Sequence, residues 1–146
     1  MGGHLRAGET LHQAIREAEE EIGLDVTLAD LTRLGRRFAH GMAGKDNEVQ
    51  EVFALRSDLP LGAYRLHPAE VEALVSVPLT AALALFEGRT AVVDGRELRR
   101  GSNTPGAVRV TVSGFAAGEA GGYAARALRG LLEVVTGGSP QPFELR

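Results

Sequence analysis

Glu17, Glu20 and Glu21 stand at a spacing that gathers carboxylates. On a helix turning about 100° per residue they fall along one edge. With Ala18 taken as zero, Leu11, Ala14, Ile15, Ala18 and Ile22 lie between roughly −40° and +60°, an apolar stripe for a core. The three glutamates lie beside that stripe, and Glu19 falls on the other side as a solvent residue. Carboxylates three and four residues apart repel by roughly 0.2–0.5 kcal/mol per pair, and a single Arg16 does not neutralise three of them. A hard divalent cation does. Mg²⁺ prefers carboxylate, water and phosphate oxygens, and a metal bridging two phosphates neutralises charge and orients an attacking water. Most acidic helix faces are merely solvated, so the flanking residues must decide.

Those flanks are specific. The string GGHLRAGETLHQAIREAEEEIGL, residues 2–24, resembles the Nudix box. Gly3, Glu9, Arg16, Glu17, Ala18, Glu20, Glu21, Gly23 and Leu24 fill its positions. The resemblance implies Glu20 and Glu21 as main metal ligands, Glu17 as ligand or base, and Arg16 as the group that orients a glutamate. It implies Glu9 as a brace at the loop–helix junction, with Gly3 and Gly23 structural. It also implies an α/β fold with a mixed β-sheet sandwiched between helices, and Mg²⁺ (Mn²⁺ as substitute). The implied reaction is hydrolysis of a diphosphate linkage in a small molecule such as a nucleoside-diphosphate derivative. One departure stands out: six residues separate Glu9 from Arg16, one fewer than the family pattern. A later helix start absorbs the deletion, which bears on Glu9 more than on the REAEEEIG core.

A second match lies downstream. Asp46-Asn47-Glu48-Val49-Gln50-Glu51-Val52-Phe53 resembles a strand of Nudix proteins related to isopentenyl-diphosphate isomerase, in which acidic residues flank the Asn. Asp46 and Glu48 occupy those positions, Glu48 as a catalytic candidate, and His4 matches a metal-ligand histidine. Plainer readings stand beside these: His4 as a loop histidine, Asp46 and Glu48 as a solvated strand start. Glu51, three residues after Glu48, faces the opposite side of a regular strand and is an alternative base. His12, His40 and His67 have no companions at ligand spacing and read as surface residues. The phrase AYRLHPAEVEALVSVPL, residues 63–79, also resembles hydrolases of this branch, so the likeness covers residues 2–87. The isomerases require a Cys two residues before the His, where this chain has Gly2. The resemblance therefore implies a hydrolase before an isomerase, with a Nudix-like binding module that has lost catalysis as the competing class.

The elements that must position these residues follow from local pattern. Glu9–Ile22 reads as a helix, with Gly23 as its left-handed C-terminal cap. Leu31–His40 and Glu48–Arg56 read as strands, the second rich in β-branched and aromatic residues. Pro68–Val77 is ambiguous, helical at its start and extended at its end. Leu79–Phe86 is a helix ended by Gly88, and Thr90–Val93 and Val108–Val112 are short strands. Gly101–Gly106 reads as a poorly ordered loop and Gly118–Gly122 as a hinge. Tyr123–Val135 is a last helix, and a loose tail begins at Gly137–Pro142.

With 146 residues, 44% hydrophobic and 24% charged, the chain is expected to be one Nudix-like domain over residues 1–146, its box at 3–24. A net charge of −3 argues against nucleic-acid binding, and no apolar run approaches a membrane span. Without a basic leader and apolar stretch at its start, the chain is expected to be cytoplasmic. Cysteine is absent, which excludes disulfides and thiolate metal sites. Lys45 is the sole lysine among 16 basic residues, and with 19 glycines this points to a GC-rich coding sequence. Since family members carry strands ahead of the box, the expectation is a fold missing its N-terminal strands, with an open sheet edge through which a homodimer could form.

Overall fold

The computed structural model describes residues 11–39, 48–115 and 122–145; within these, the side chains of residues 11–14, 17, 39, 48, 50 and 145 lie outside the description. The class is α/β, as expected. In chain order the elements are α1 (Leu11–Ile22), β1 (Leu31–Ala39), β2 (Glu48–Leu55), β3 (Ala73–Ser76), α2 (Leu79–Phe86), β4 (Val92–Arg99), β5 (Gly106–Thr111), α3 (Tyr123–Val135) and β6 (Phe143–Leu145). Two three-stranded sheets form, in the orders β2-β1-β6 and β3-β4-β5. The pairing is mixed: β1 and β6 run parallel, β3 and β4 antiparallel. No helix among the described residues is long and apolar enough to cross a membrane.

The chain divides into two compact units. One comprises Met1–Leu31, Leu55–Ser76 and Asp94–Val108. Its buried apolar residues are Ala18 and Ile22 of α1 and Leu98 of β4. Leu98 pairs across the ladder with Leu74, flanked by Ala73 opposite Arg99 and Val75 opposite Glu97. The Pro68–Val77 ambiguity resolves as a turn over 68–70 followed by β3. The strand expected over Thr90–Val93 runs on to Arg99, because cross-strand pairing with β3 holds Arg96–Arg99 in extended form.

The 101–106 stretch is a defined turn, not the poorly ordered loop expected from its composition. Gly101 takes the left-handed conformation at φ +78°, Ser102 N–H donates to the Arg99 carbonyl at 3.0 Å, and Arg96 Nη2 donates to the Pro105 carbonyl at 2.9 Å.

The other unit comprises Thr32–Ala54, Val77–Val93 and Arg109–Arg146. Leu34, Leu83, Leu85 and Val93 are its buried apolar residues. Pro78 precedes α2 with extended backbone and Gly88, at φ +72°, follows its end, the Pro-before and Gly-after asymmetry of helices. Helix α3 lies against α2 and against β1, where a Cβ on Gly130 would stand 3.4 Å from Leu34 Cδ2. Edge-on aromatic pairs, Phe86–Phe115 at 4.8 Å and Tyr123–Phe143 at 6.4 Å between ring centres, add directional packing.

Glu87, at the end of α2, accepts hydrogen bonds from Arg129 of α3 and from Arg89. These two arginines hold its carboxyl below the ordinary range. Strand β6 was not expected. It follows Pro140 and Pro142 and is only three residues long, and its partner β1 is more than a hundred residues away.

Candidate active site

The helix expected from Glu9 onward is described from Leu11, residues 9 and 10 lying outside the described residues. The described part of its apolar stripe, Ile15, Ala18 and Ile22, is where the helical wheel puts it. Ala18 and Ile22 are buried at 7% and 8% exposure, and Ile15 is half-buried. Glu19 and Glu20 are exposed and Glu21 is half-buried. Burying the stripe fixes the helix's rotation, so the acid edge is set by packing and not by the acids themselves. Arg16 Nε sits 3.2 Å from Glu20 Oε1, one turn along. Both side chains are well exposed, at 66% and 59%, so the pair orients Glu20 more than it stabilises the helix.

The last turn of α1 is tied down. Gly23 N–H donates to the Glu19 carbonyl at 3.0 Å and Leu24 N–H to that of Ala18 at 3.2 Å. Gly23 takes φ +70°, the left-handed residue at which many helices end. The segment 65–67 then captures two more terminal carbonyls. Arg65 N–H donates to Ile22 O at 3.1 Å and His67 N–H to Glu21 O at 2.8 Å. Four carbonyls of the final turns thus find main-chain donors, which satisfies the groups a helix end leaves orphaned. The turn that carries Glu20 and Glu21 is thereby anchored from outside the helix.

Of the expected metal ligands, the box therefore presents two with described carboxylates, Glu20 and Glu21, on an anchored turn. Hard oxygen donors of this kind fit Mg²⁺ or Mn²⁺, which are content with one or two protein carboxylates and complete their shells with water and phosphate. Among the described residues no group of three or more potential metal ligands gathers. Glu17 lies on α1 and Glu48 on β2, their side chains outside the description. Gly3, His4, Glu9, His12 and Asp46, as sequence-derived candidates, fall likewise: residues 3, 4, 9 and 46 and the His12 side chain lie outside the described residues, as does His40. His67, read as a surface residue, is half-buried; its Nδ1 accepts from Ala69 N–H at 3.4 Å.

Residues 1–94 match the model of the NUDIX domain family. The chain belongs to that family. The match takes in the whole box and extends into β4. The chain is also 28% identical over 79 residues to an uncharacterised Nudix hydrolase of Clostridium acetobutylicum, covering 53% of this chain and 38% of that relative. It therefore spans well under half the length of that protein. No solved structure matches the chain.

Glu51 belongs to the other unit and has its own surroundings. Arg33 Nε donates to Oε2 at 2.7 Å, and Arg36 Nε donates to Oε1 at 2.5 Å. Burial by itself would raise the Glu51 pKa, but the hydrogen bonds and charges of Arg33 and Arg36 outweigh it and hold the carboxyl below the ordinary glutamate range. With both oxygens engaged, Glu51 is a poor proton acceptor. The two arginines were not singled out from the sequence. The only trace there is the basic run Arg33, Arg36, Arg37 on a strand whose neighbour carries one acid in mid-strand.

Proposed function

We propose that this Nudix domain is a divalent-cation-dependent hydrolase that cuts a diphosphate linkage in a small phosphorylated molecule, such as a nucleoside-diphosphate derivative. The observation that carries the reading is the anchored final turn of α1, which presents Glu20 and Glu21 beside a buried stripe. Catalytic carboxylates need a fixed geometry, and a helix held at its end by two amides of another segment supplies one.

In this reading Glu20 and Glu21 hold Mg²⁺ or Mn²⁺, and Arg16 steadies Glu20. Glu17 serves as a further ligand or as base. A bound divalent cation supplies charge neutralisation across phosphate oxygens and an acidified water. The base role falls to Glu17 or Glu48 before Glu51, because Arg33 and Arg36 already occupy both Glu51 oxygens. His4 and Asp46 are further ligand candidates on the isomerase-like pattern alone. The isomerase reaction itself is disfavoured, since a chain without cysteine has no thiol to move a proton at carbon.

Phosphate release from nucleotide sugars, dinucleotides and oxidised nucleotides, with and without Mg²⁺, tests the reading. Metal-dependent turnover that collapses in Glu20→Gln is expected. Full turnover in Glu20→Gln would overturn the assignment of the site, and no turnover of any diphosphate by the folded wild type would favour a binding module.

A further inference from the structure

A cleft of about 500 Å³ lies in the same unit as α1, lined by residues 62–66, Arg99 and residues 101–103. Its lining includes two arginines, Arg65 and Arg99, and no carboxylate, in a chain whose net charge is −3. Neither wall is accidental. One is the 61–66 segment, anchored through Arg65 N–H to the end of α1. The other is the β4–β5 turn. The walls meet at Gly62, where a Cβ would come within 2.6 Å of the Asn103 carbonyl oxygen, so only glycine allows this approach.

The arginines are not consumed by structural duties. The carbonyls at the end of α1 already have main-chain donors, so the Arg65 guanidinium is not needed as a cap. Arg65 is exposed and its side chain makes no ion pair with another described residue. Arg99 gives Nε to the Glu97 carboxylate at 2.9 Å, and no hydrogen bond among the described residues engages its two terminal nitrogens. Two arginines line one concave site with Asn103, and the guanidinium fork is the side-chain group whose planar donors match phosphate oxygens.

We propose that this cleft is an anion subsite that holds phosphate groups of a phosphorylated small molecule, with Arg65 and Arg99 as the binding residues. That the molecule is the substrate rests on the hydrolase reading; that the cleft binds phosphate does not. Through Arg65 N–H, which donates to the Ile22 carbonyl, the cleft wall is tied to the end of the helix carrying Glu20 and Glu21.

Calorimetric titration of inorganic pyrophosphate into protein kept metal-free with EDTA tests the subsite apart from catalysis. Wild type is expected to bind, more weakly as salt rises, and Arg65→Gln and Arg99→Gln each to weaken binding about tenfold. Arg65→Lys should recover part of the loss, and Arg56→Gln, which changes an exposed arginine paired with Asp58 outside the cleft, should bind as wild type. Thermal melts of each variant establish folding. Equal affinity in wild type and the Arg65→Gln/Arg99→Gln double variant, or no binding by the folded wild type, would overturn the subsite even if diphosphates are hydrolysed. Arginine-dependent binding in a protein that hydrolyses nothing would uphold the subsite and sink the hydrolase reading. With a turned-over substrate, a raised KM at nearly constant kcat in Arg65→Gln assigns the anion to the substrate; an unchanged KM in Arg65→Gln, with inorganic phosphate still displacing pyrophosphate from the wild type, assigns the same cleft to a free anion.

Discussion

The main-chain N–H of His67 donates to the carbonyl of Glu21 at 2.8 Å, so a residue far along the chain holds the backbone of one of the box's acids. The bond needs no side chain. His67→Ala should therefore leave stability and activity near wild type, losing only the long 3.4 Å contact from Ala69. His67→Pro removes the donor and leaves the Glu21 carbonyl unmet, at a cost of about 1–3 kcal/mol. Chemical denaturation of both variants checks this; a His67→Ala variant as unstable as His67→Pro would show that the imidazole, not the amide, holds the turn.

Gly23→Ala tests the other tie. The residue sits at φ +70° and a Cβ there would stand 3.1 Å from Arg65 Cβ. The left-handed conformation costs a residue with a Cβ about 1–2 kcal/mol, and the crowding of Arg65 adds to it. Thermal melts are expected to show a destabilised protein, with Gly23→Asn milder because Asn tolerates that conformation better. Equal stability of Gly23→Ala and wild type would mean that the helix ends another way.

Glu51 predicts a pH dependence. Its folded pKa lies below its unfolded value, so its contribution to stability is present above the ordinary glutamate range and is lost as pH falls through the folded value. Glu51→Gln should destabilise the protein by about 1–2 kcal/mol near neutrality, and the gap between variant and wild type should close on acidification. Denaturant midpoints across pH measure it. A gap that stays constant down to strongly acidic pH would show that Glu51 acts through packing and not through its charge.

How much of this was legible beforehand differs from element to element. Helices α1, α2 and α3 follow apolar periodicity and glycine stops, and the bounds of α2 and α3 agree with the expectation to the residue. Strands β1 and β2 carry their own β-branched and aromatic signals. What escaped was non-local. The polar residues Arg96 and Glu97 have no strand preference and are extended because β3 lies beside them. Phe143–Leu145 is a strand because Gly35, opposite Phe143, leaves room for the ring. The acid edge of α1 could be read from spacing, since one helix contains it. The clamp of Arg33 and Arg36 on Glu51 and the Arg65–Arg99 cleft bring together residues 15 or more positions apart, and no local pattern announces such meetings.

The last prediction concerns which acids bind metal. Neighbouring residues on a helix are separated by about 100°, so Glu19 and Glu20, though adjacent, present their carboxylates to different sides. Calorimetric titration with Mn²⁺ should show weak binding by wild type, because much of the shell is left to water and phosphate oxygens. The Glu20→Gln/Glu21→Gln variant should lose that binding, since removing two of the available anionic donors leaves a doubly charged ion with little to offset its dehydration. Glu19→Gln should bind as wild type, while Glu20→Gln, which removes the same single charge from the same helix, should weaken binding. That comparison separates coordination from mere electrostatic attraction, which would respond to any of the three acids alike. Equal loss in Glu19→Gln and in Glu20→Gln would mean that the ion is drawn to a diffuse acidic surface, and that Glu20 and Glu21 hold no metal site.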